Sequence, residues 1–191
     1  MSHERYNVKK QHTLSNLTEE LLENTILVVQ DSQKELYEDI AFEFNVELMV
    51  LPKHITTLSP SIEFVGYHTV EDKFFILDDD LKFAYREDIN STKLTPCNDD
   101  EFILGEMFEL LILKLDTYPM VGVSARFGNN NFENSYKECT RQMCFHGFRK
   151  KEFLMVEHSR VLCRQDFDRT LQYLIRGWKN YVTYLYTHDQ P

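Results

Sequence analysis

Three consecutive carboxylates, Asp78-Asp79-Asp80, follow the apolar run Phe74-Phe75-Ile76-Leu77 and precede Leu81. A short β-branched and aromatic run bounded by polar residues reads as a buried strand. Adjacent acids just beyond such a strand repel one another unless a cation compensates them. Mg²⁺ and Mn²⁺ take oxygen ligands, one or two from carboxylates and others from substrate phosphates. Asp78 and Asp80 are therefore candidate ligands for a divalent ion that also grips a diphosphate. Alternation along an extended backbone sends Asp79 the other way. A solvated acidic turn is the plainer account of the same three residues.

Other polar groups stand where a sheet edge would present them. The segment Ser124-Ala125-Arg126-Phe127-Gly128-Asn129-Asn130-Asn131 leaves a hydrophobic strand and brings one Arg and three amides into a loop. Arg126 suits bidentate contact with phosphate, and Asn129 and Asn130 can bond a sugar hydroxyl or a base edge. An ordinary turn uses the same residue types. Asp166-Phe167-Asp168 opens a helical pattern. An Asp there is either a helix cap or a base that takes the proton of an acceptor hydroxyl. His188 follows the last predicted strand, as a third metal ligand or as an exposed terminal side chain. His146 and His158 read as structural or surface residues.

Periodicity supplies the elements that must hold these groups. Thr13 to Leu22 has a helical pattern through Leu14, Leu17 and Leu21, and Thr25 to Gln30 is a strand by its β-branched content. Ser32 with Glu35 forms a capping box for a helix through Phe44. Val46 to Leu51 is a strand stopped by Pro52. Asp99-Asp100-Glu101 starts an amphipathic helix to about Leu115, with acids in the turn that the helix dipole favours. Met120 to Ala125 and Arg141 to Phe148 are strands. Asp166 to Arg176 is a helix with Phe167, Leu171 and Leu174 on one face, ended by Gly177, and Tyr181 to Tyr186 is the last strand. Strands alternating with helices imply an α/β layered domain with a largely parallel sheet. In such sheets ligands bind beyond the carboxyl ends of the strands, where Asp78–Asp80 would lie.

Composition narrows the class. The 191 residues are 42% hydrophobic and 13% aromatic, as in a globular chain that buries a core, and one domain over residues 1–191 is expected. No apolar stretch approaches the ~20 residues of a membrane span, and the polar start does not resemble a signal peptide. Cys97, Cys139, Cys144 and Cys163 lack zinc-site or disulfide spacing, which suits free thiols in a reducing cytoplasm. Net charge is −10, unevenly spread: from Lys137 to Lys179, 10 Lys+Arg stand against 5 Asp+Glu, a local +5, and the remainder, 11 against 26, carries −15. A basic third could meet a polyanion while the rest repels it, and a solvated basic helix face is the commoner source of such an excess.

In order along the chain, these pieces resemble the bacteriophage glycosyltransferases associated with TET/JBP-type base oxygenases. The matching stretches are Gln11 to Leu14, Thr25 to Gln30, Phe75 to Leu81 with Phe83 and Arg86, and Gly105 to Phe108. They continue through Val121 to Arg126, Gly128 to Asn130, Tyr136, Thr140-Arg141, Met143 and Gly147-Phe148. Asp166 to Asp168, Thr170 to Gln172, Leu174 and Gly177 complete the set. The resemblance implies a GT-A-like (Rossmann-related) nucleotide-sugar fold and transfer of a sugar to a hydroxymethylated pyrimidine in phage DNA, in the host cytoplasm. It implies Asp78 and Asp80 as ligands of Mn²⁺ or Mg²⁺ against the donor diphosphate, and Asp166 as the base. Arg86, Arg126, Asn129, Asn130, Arg141 and Asp168 are the candidate donor or acceptor contacts.

The chain also departs from that pattern. Only Glu4-Arg5-Tyr6 precedes Lys10-Gln11 where a full first strand is expected, and Ser61-Ile62 stands where Thr-Arg would open a helix. Gln165 replaces an expected Glu, and the chain stops at Gln190-Pro191 before an expected Gly-Gly and Arg segment. Two further readings follow: a catalytically silent relic that binds nucleotide-sugar, DNA or a protein partner, and a glycosyltransferase with a non-DNA acceptor.

Overall fold

The structure, a computed structural model, describes residues 11–88, 90–97, 101–127, 129, 134–161 and 163–190. Two sheets organise it. The smaller is the parallel pair β1 (Ile26–Gln30) and β2 (Glu47–Leu51), joined through α3 (Lys34–Glu43). Helix α3 packs Tyr37, Ile40 and Ala41 onto Leu27, Val29 and Val46. The expected capping box does not form. Asp31–Gln33 coil into a 3₁₀ turn, the helix starts at Lys34, and its cap position, Gln33, makes no side-chain cap bond. The single helix expected over Thr13 to Leu22 is likewise two, α1 (His12–Asn16) and α2 (Glu19–Glu23). The chain becomes extended at Leu17, and Thr18 then caps α2 by accepting from the Leu21 N–H at 3.2 Å.

The larger sheet has seven strands: β3 (Lys73–Leu77), β4 (Lys82–Tyr85), β5 (Thr95–Pro96), β6 (Met120–Ala125), β7 (Tyr136–Glu138), β8 (Phe145–Arg149) and β9 (Tyr181–Asp189). Their order is β3-β8-β6-β9-β4-β5, with β7 also on β9. Of this sheet's six pairings among the described residues, one is parallel, β6–β9. The sheet is therefore mixed, which corrects the expected mostly parallel arrangement. Strand β8 lies between β3 and β6 and runs against both, so consecutive strand signals there do not mark parallel crossovers. Strands of two to four residues, such as β4, β5 and β7, are too short for their periodicity to show.

Helices cover both faces. On one, α5 (Glu101–Lys114) lays Leu104, Met107, Phe108 and Leu111 on Phe83, Val121, Val123 and Phe145. On the other, α4 (Leu58–His68), α6 (Lys150–Phe153) and α7 (Gln165–Ile175) enclose Phe74, Ile76, Met120 and Phe148. The α4 backbone comes so close to the Phe153 ring that a side chain at Gly66 would collide with it. Leu17 and Val65 each join two clusters and tie the small sheet to the large one. Among the described residues no helix is long and apolar enough to cross a membrane.

Candidate functional site

The acidic triplet sits at the carboxyl end of β3, and Thr13 holds its backbone. Its hydroxyl donates to the Asp78 carbonyl at 2.5 Å and accepts from the Leu81 N–H at 2.9 Å, while its own N–H reaches the Asp79 carbonyl at 3.1 Å. The Asp78 N–H donates to the Cys144 carbonyl at 2.9 Å, extending the β3–β8 ladder one step. The carboxylates of Asp78 and Asp80 converge: the single Gln190 Nε2 donates to Asp78 Oδ2 at 3.4 Å and to Asp80 Oδ1 at 2.9 Å. A point that one amide nitrogen reaches from both acids is also one that a cation could share. The donor set, two hard oxygens, fits Mg²⁺ or Mn²⁺ with further oxygens from a phosphate or water. Burial pushes the Asp78 carboxyl above the ordinary carboxylate range, and a hydrogen bond from Cys144 works against that.

Beside Asp78 lies a cavity of about 180 Å³. Leu58 and Ile62 of α4 and Ile76 of β3 form its apolar wall, and Arg141, Met143 and Cys144 come from the segment leading into β8. Gln165, Asp166 and Arg169 come from the first turn and a half of α7. Four described non-glycine residues have positive φ. Three of them border this region: Cys139 (52°) and Cys144 (60°) bracket the Arg141 segment, and Arg164 (56°) precedes α7. Such conformations cost of order 1 kcal/mol or more and concentrate at functional sites.

Arg141 links two candidates. Its Nε donates to Asp166 Oδ2 at 2.7 Å, and its guanidinium lies 3.8 Å over the Phe167 ring. Asp166 is not the cap of α7. That position belongs to Arg164, which makes no side-chain cap bond, so the Asp166 carboxylate serves Arg141 and the cavity. Asp168 does not line the cavity. It is held by Arg160 and by Gln172 Nε2 at 2.8 Å, and the Arg160 bond lowers its carboxyl pKa.

Arg86 and Asn129 come together, but as a buried staple. Strand β9 breaks register against β6 between Val123 and Ser124, looping out Tyr184 to Tyr186. Arg86 Nε donates to the Tyr184 carbonyl at 3.1 Å, and the guanidinium also reaches the Ser91 carbonyl and both oxygens of Asn129. The Asn129 amide in turn donates to Ser124 Oγ. Arg126 lies elsewhere, in a second hollow of about 300 Å³ with Lys82 and Asp189, and pairs with Asp189 at 3.6 Å. Asn130 lies outside the described residues.

His188 is not terminal and exposed. Strand β9 continues to Asp189, so His188 pairs with Phe83 and Ala125 inside the sheet and is buried. Burial lowers its pKa to about 4, so it is neutral at pH 7. Among the described residues no group of three or more His, Cys, Asp or Glu side chains is placed to hold a metal ion, and His188 does not join Asp78 and Asp80 in one. His146 and His158 are buried as well. Burial takes His146 well below the usual histidine range and His158 to about 4.

Sequence reasoning missed Arg169. It is 1% exposed, and its Nε and both Nη atoms have no hydrogen-bond partner. The available signal was its place three residues after Asp166, on the same helix face. That signal was overridden because Phe167, Leu171 and Leu174 marked the apolar face as the inner one. In the structure Phe167 and Leu171 are exposed and Arg169, Thr170, Gln172 and Tyr173 are buried.

No curated protein matches the sequence. The sequence pattern of the TET-associated glycosyltransferases, by contrast, matches residues 1–190 of the 191. With nearly its whole length accounted for by that pattern, the chain belongs to the TET-associated glycosyltransferase family.

Proposed function

We propose that this chain transfers a sugar from a nucleotide-sugar donor to a hydroxymethylated pyrimidine of phage DNA, on a GT-A-type scaffold, with Mn²⁺ or Mg²⁺ held by Asp78 and Asp80. The observation that carries this reading is the convergence of the Asp78 and Asp80 carboxylates on one point, beside a cavity that Asp78 and Asp166 both line. The bound ion would supply positive charge to the departing diphosphate. The chain's own residues do the rest. Asp78 and Asp80 fix the donor end, and Arg141 orients the Asp166 carboxylate through their 2.7 Å bond. In an inverting transfer Asp166 accepts the acceptor hydroxyl proton, the freed oxygen bonds to the anomeric carbon, and the bond to the nucleoside diphosphate breaks. A correctly held base contributes about 10²–10⁴-fold.

The test is nucleoside mass spectrometry after incubating the protein and Mn²⁺ with a panel of nucleotide-sugars and hydroxymethylated duplex DNA. A mass increase of one sugar is expected, absent in Asp80→Asn and reduced about 10²-fold or more in Asp166→Asn with unchanged melting temperature. No adduct with any donor would overturn the reading. A non-DNA acceptor is favoured by one observation. Four of the ten cations between Lys137 and Lys179 are paired within that stretch: Lys179 with Glu138, Arg149 with Glu152, Arg141 with Asp166 and Arg160 with Asp168. DNA affinity that does not fall with salt would select that second reading.

A further inference from the structure

We propose that the cavity between α4, β3 and α7 is a receptor for a single oxyanion, a phosphate or a carboxylate, and that Arg169 is the residue that binds it. Among the described residues the fold satisfies the other well-buried arginine: Arg86, 7% exposed, has acceptors from Ser91, Asn129 and Tyr184. Arg169 is more deeply buried and has none. All three of its nitrogens lack a partner, and the Phe148 ring lies 5.6 Å from the guanidinium carbon. A buried guanidinium with no acceptor is strongly unfavourable. The planar fork of five donors matches the paired oxygens of phosphate and carboxylate.

The cavity that Arg169 lines agrees with this in size, and its lining also holds the Asp78 and Asp166 carboxylates, from which a bound anion must keep its distance. At about 180 Å³ it falls below the roughly 300 Å³ at which pockets begin to enclose whole drug-sized ligands. It therefore takes one group of a larger molecule, the remainder lying outside it. Arg141 supplies a second cation on the wall, already partnered by Asp166. Burial lowers the Arg169 pKa to about 10, so the side chain still carries its charge at neutral pH. Which molecule owns the anion rests on the donor reading above: it is either the donor diphosphate or a carboxylated sugar.

The experiment compares wild type, Arg169→Met and Arg169→Lys by melting temperature and calorimetry at fixed ionic strength. The probes are inorganic phosphate, pyrophosphate, UDP-glucose and UDP-glucuronate, each with and without Mn²⁺. Without ligand, Arg169→Met is expected to melt at or above wild type, because an unpartnered buried cation has gone. It is expected to lose about tenfold or more in anion affinity, the scale of a charge-assisted pair of hydrogen bonds. Arg169→Lys, with the charge but not the fork, falls between. Phosphate and pyrophosphate shifts that depend on Arg169 assign the diphosphate. A preference for UDP-glucuronate over UDP-glucose that depends on Arg169 assigns the carboxylate. Wild-type affinity in Arg169→Met overturns the inference, as does a wild type that none of these anions stabilises. If Arg169→Met does not fold, unchanged affinity in Arg169→Lys does the same. Mn²⁺-dependent nucleotide-sugar binding that survives in Arg169→Met leaves the donor reading standing and this one fallen. Phosphate binding through Arg169 with no nucleotide-sugar binding gives the reverse.

Discussion

The two faces of the seven-stranded sheet are built from the same strands and behave oppositely. Under α5 the contacts are apolar and aromatic: Phe75, Phe108 and Phe145 meet with ring centroids 5.2–5.7 Å apart. Under α7 the core interleaves Phe74, Phe148 and Phe153 with His146, His158, Arg169 and Tyr173. Many of the buried polar atoms without partners among the described residues lie there: His146 Nδ1, His158 Nδ1, the Tyr173 hydroxyl and the three Arg169 nitrogens. A dry face supplies stability by burying area. A face that buries unsatisfied polar groups gives some of that stability up, and it is this second face that borders the Asp78 cavity. The difference separates the side of the sheet that holds the fold together from the side available for chemistry.

The largest expected effect tests the dry face. Phe145→Ala should destabilise by about 3–5 kcal/mol, since the ring is fully buried among Phe75, Phe83 and Phe108. Chemical denaturation measures it, and a loss below about 1 kcal/mol would mean that the α5 face does not carry the core.

The polar face should instead respond to pH. His158, stacked on Phe153, has its pKa lowered to about 4 by burial. The stability tied to its neutral form is full above pH 6.5 and is lost as pH falls from 6.5 towards 4, by about 2 kcal/mol at pH 5. Asp78 works the other way. Its raised carboxyl lends stability that is present below the ordinary carboxylate pKa and lost as pH rises through the raised value. Urea unfolding at pH 7 and pH 5 should therefore show a clear loss at pH 5, smaller in His158→Gln. Equal stability at the two values would break the contrast between the faces.

The smallest effect sharpens it. Leu171 is 56% exposed on α7 despite its place in the apolar pattern, so Leu171→Lys should change stability by no more than about 0.5 kcal/mol. A loss of 2 kcal/mol or more would mean that α7 packs by its apolar face after all.

Much of the frame was legible from residues alone. β1, β2, β3 and β6 lie within a residue of their expected spans because continuous β-branched and aromatic runs have few other uses. Gly177 ends α7 as expected, at φ 77°, where a side chain would be strained. The acidic triplet beyond β3, and Asp166 in the first turn of the last helix, were also visible as residue types at a spacing. Tertiary structure alone decided the rest. Strand direction depends on which strands become neighbours, so the mixed sheet could not be read from local alternation. The helix face that turns inward depends on what it meets, so α7 buries Arg169 and exposes Phe167 against its own hydrophobic pattern. The roles of Arg86 and Asn129 were set by a bulge in β9, whose carbonyls needed donors. Periodicity reports what a segment could bury, and only its packing partners determine what it does bury.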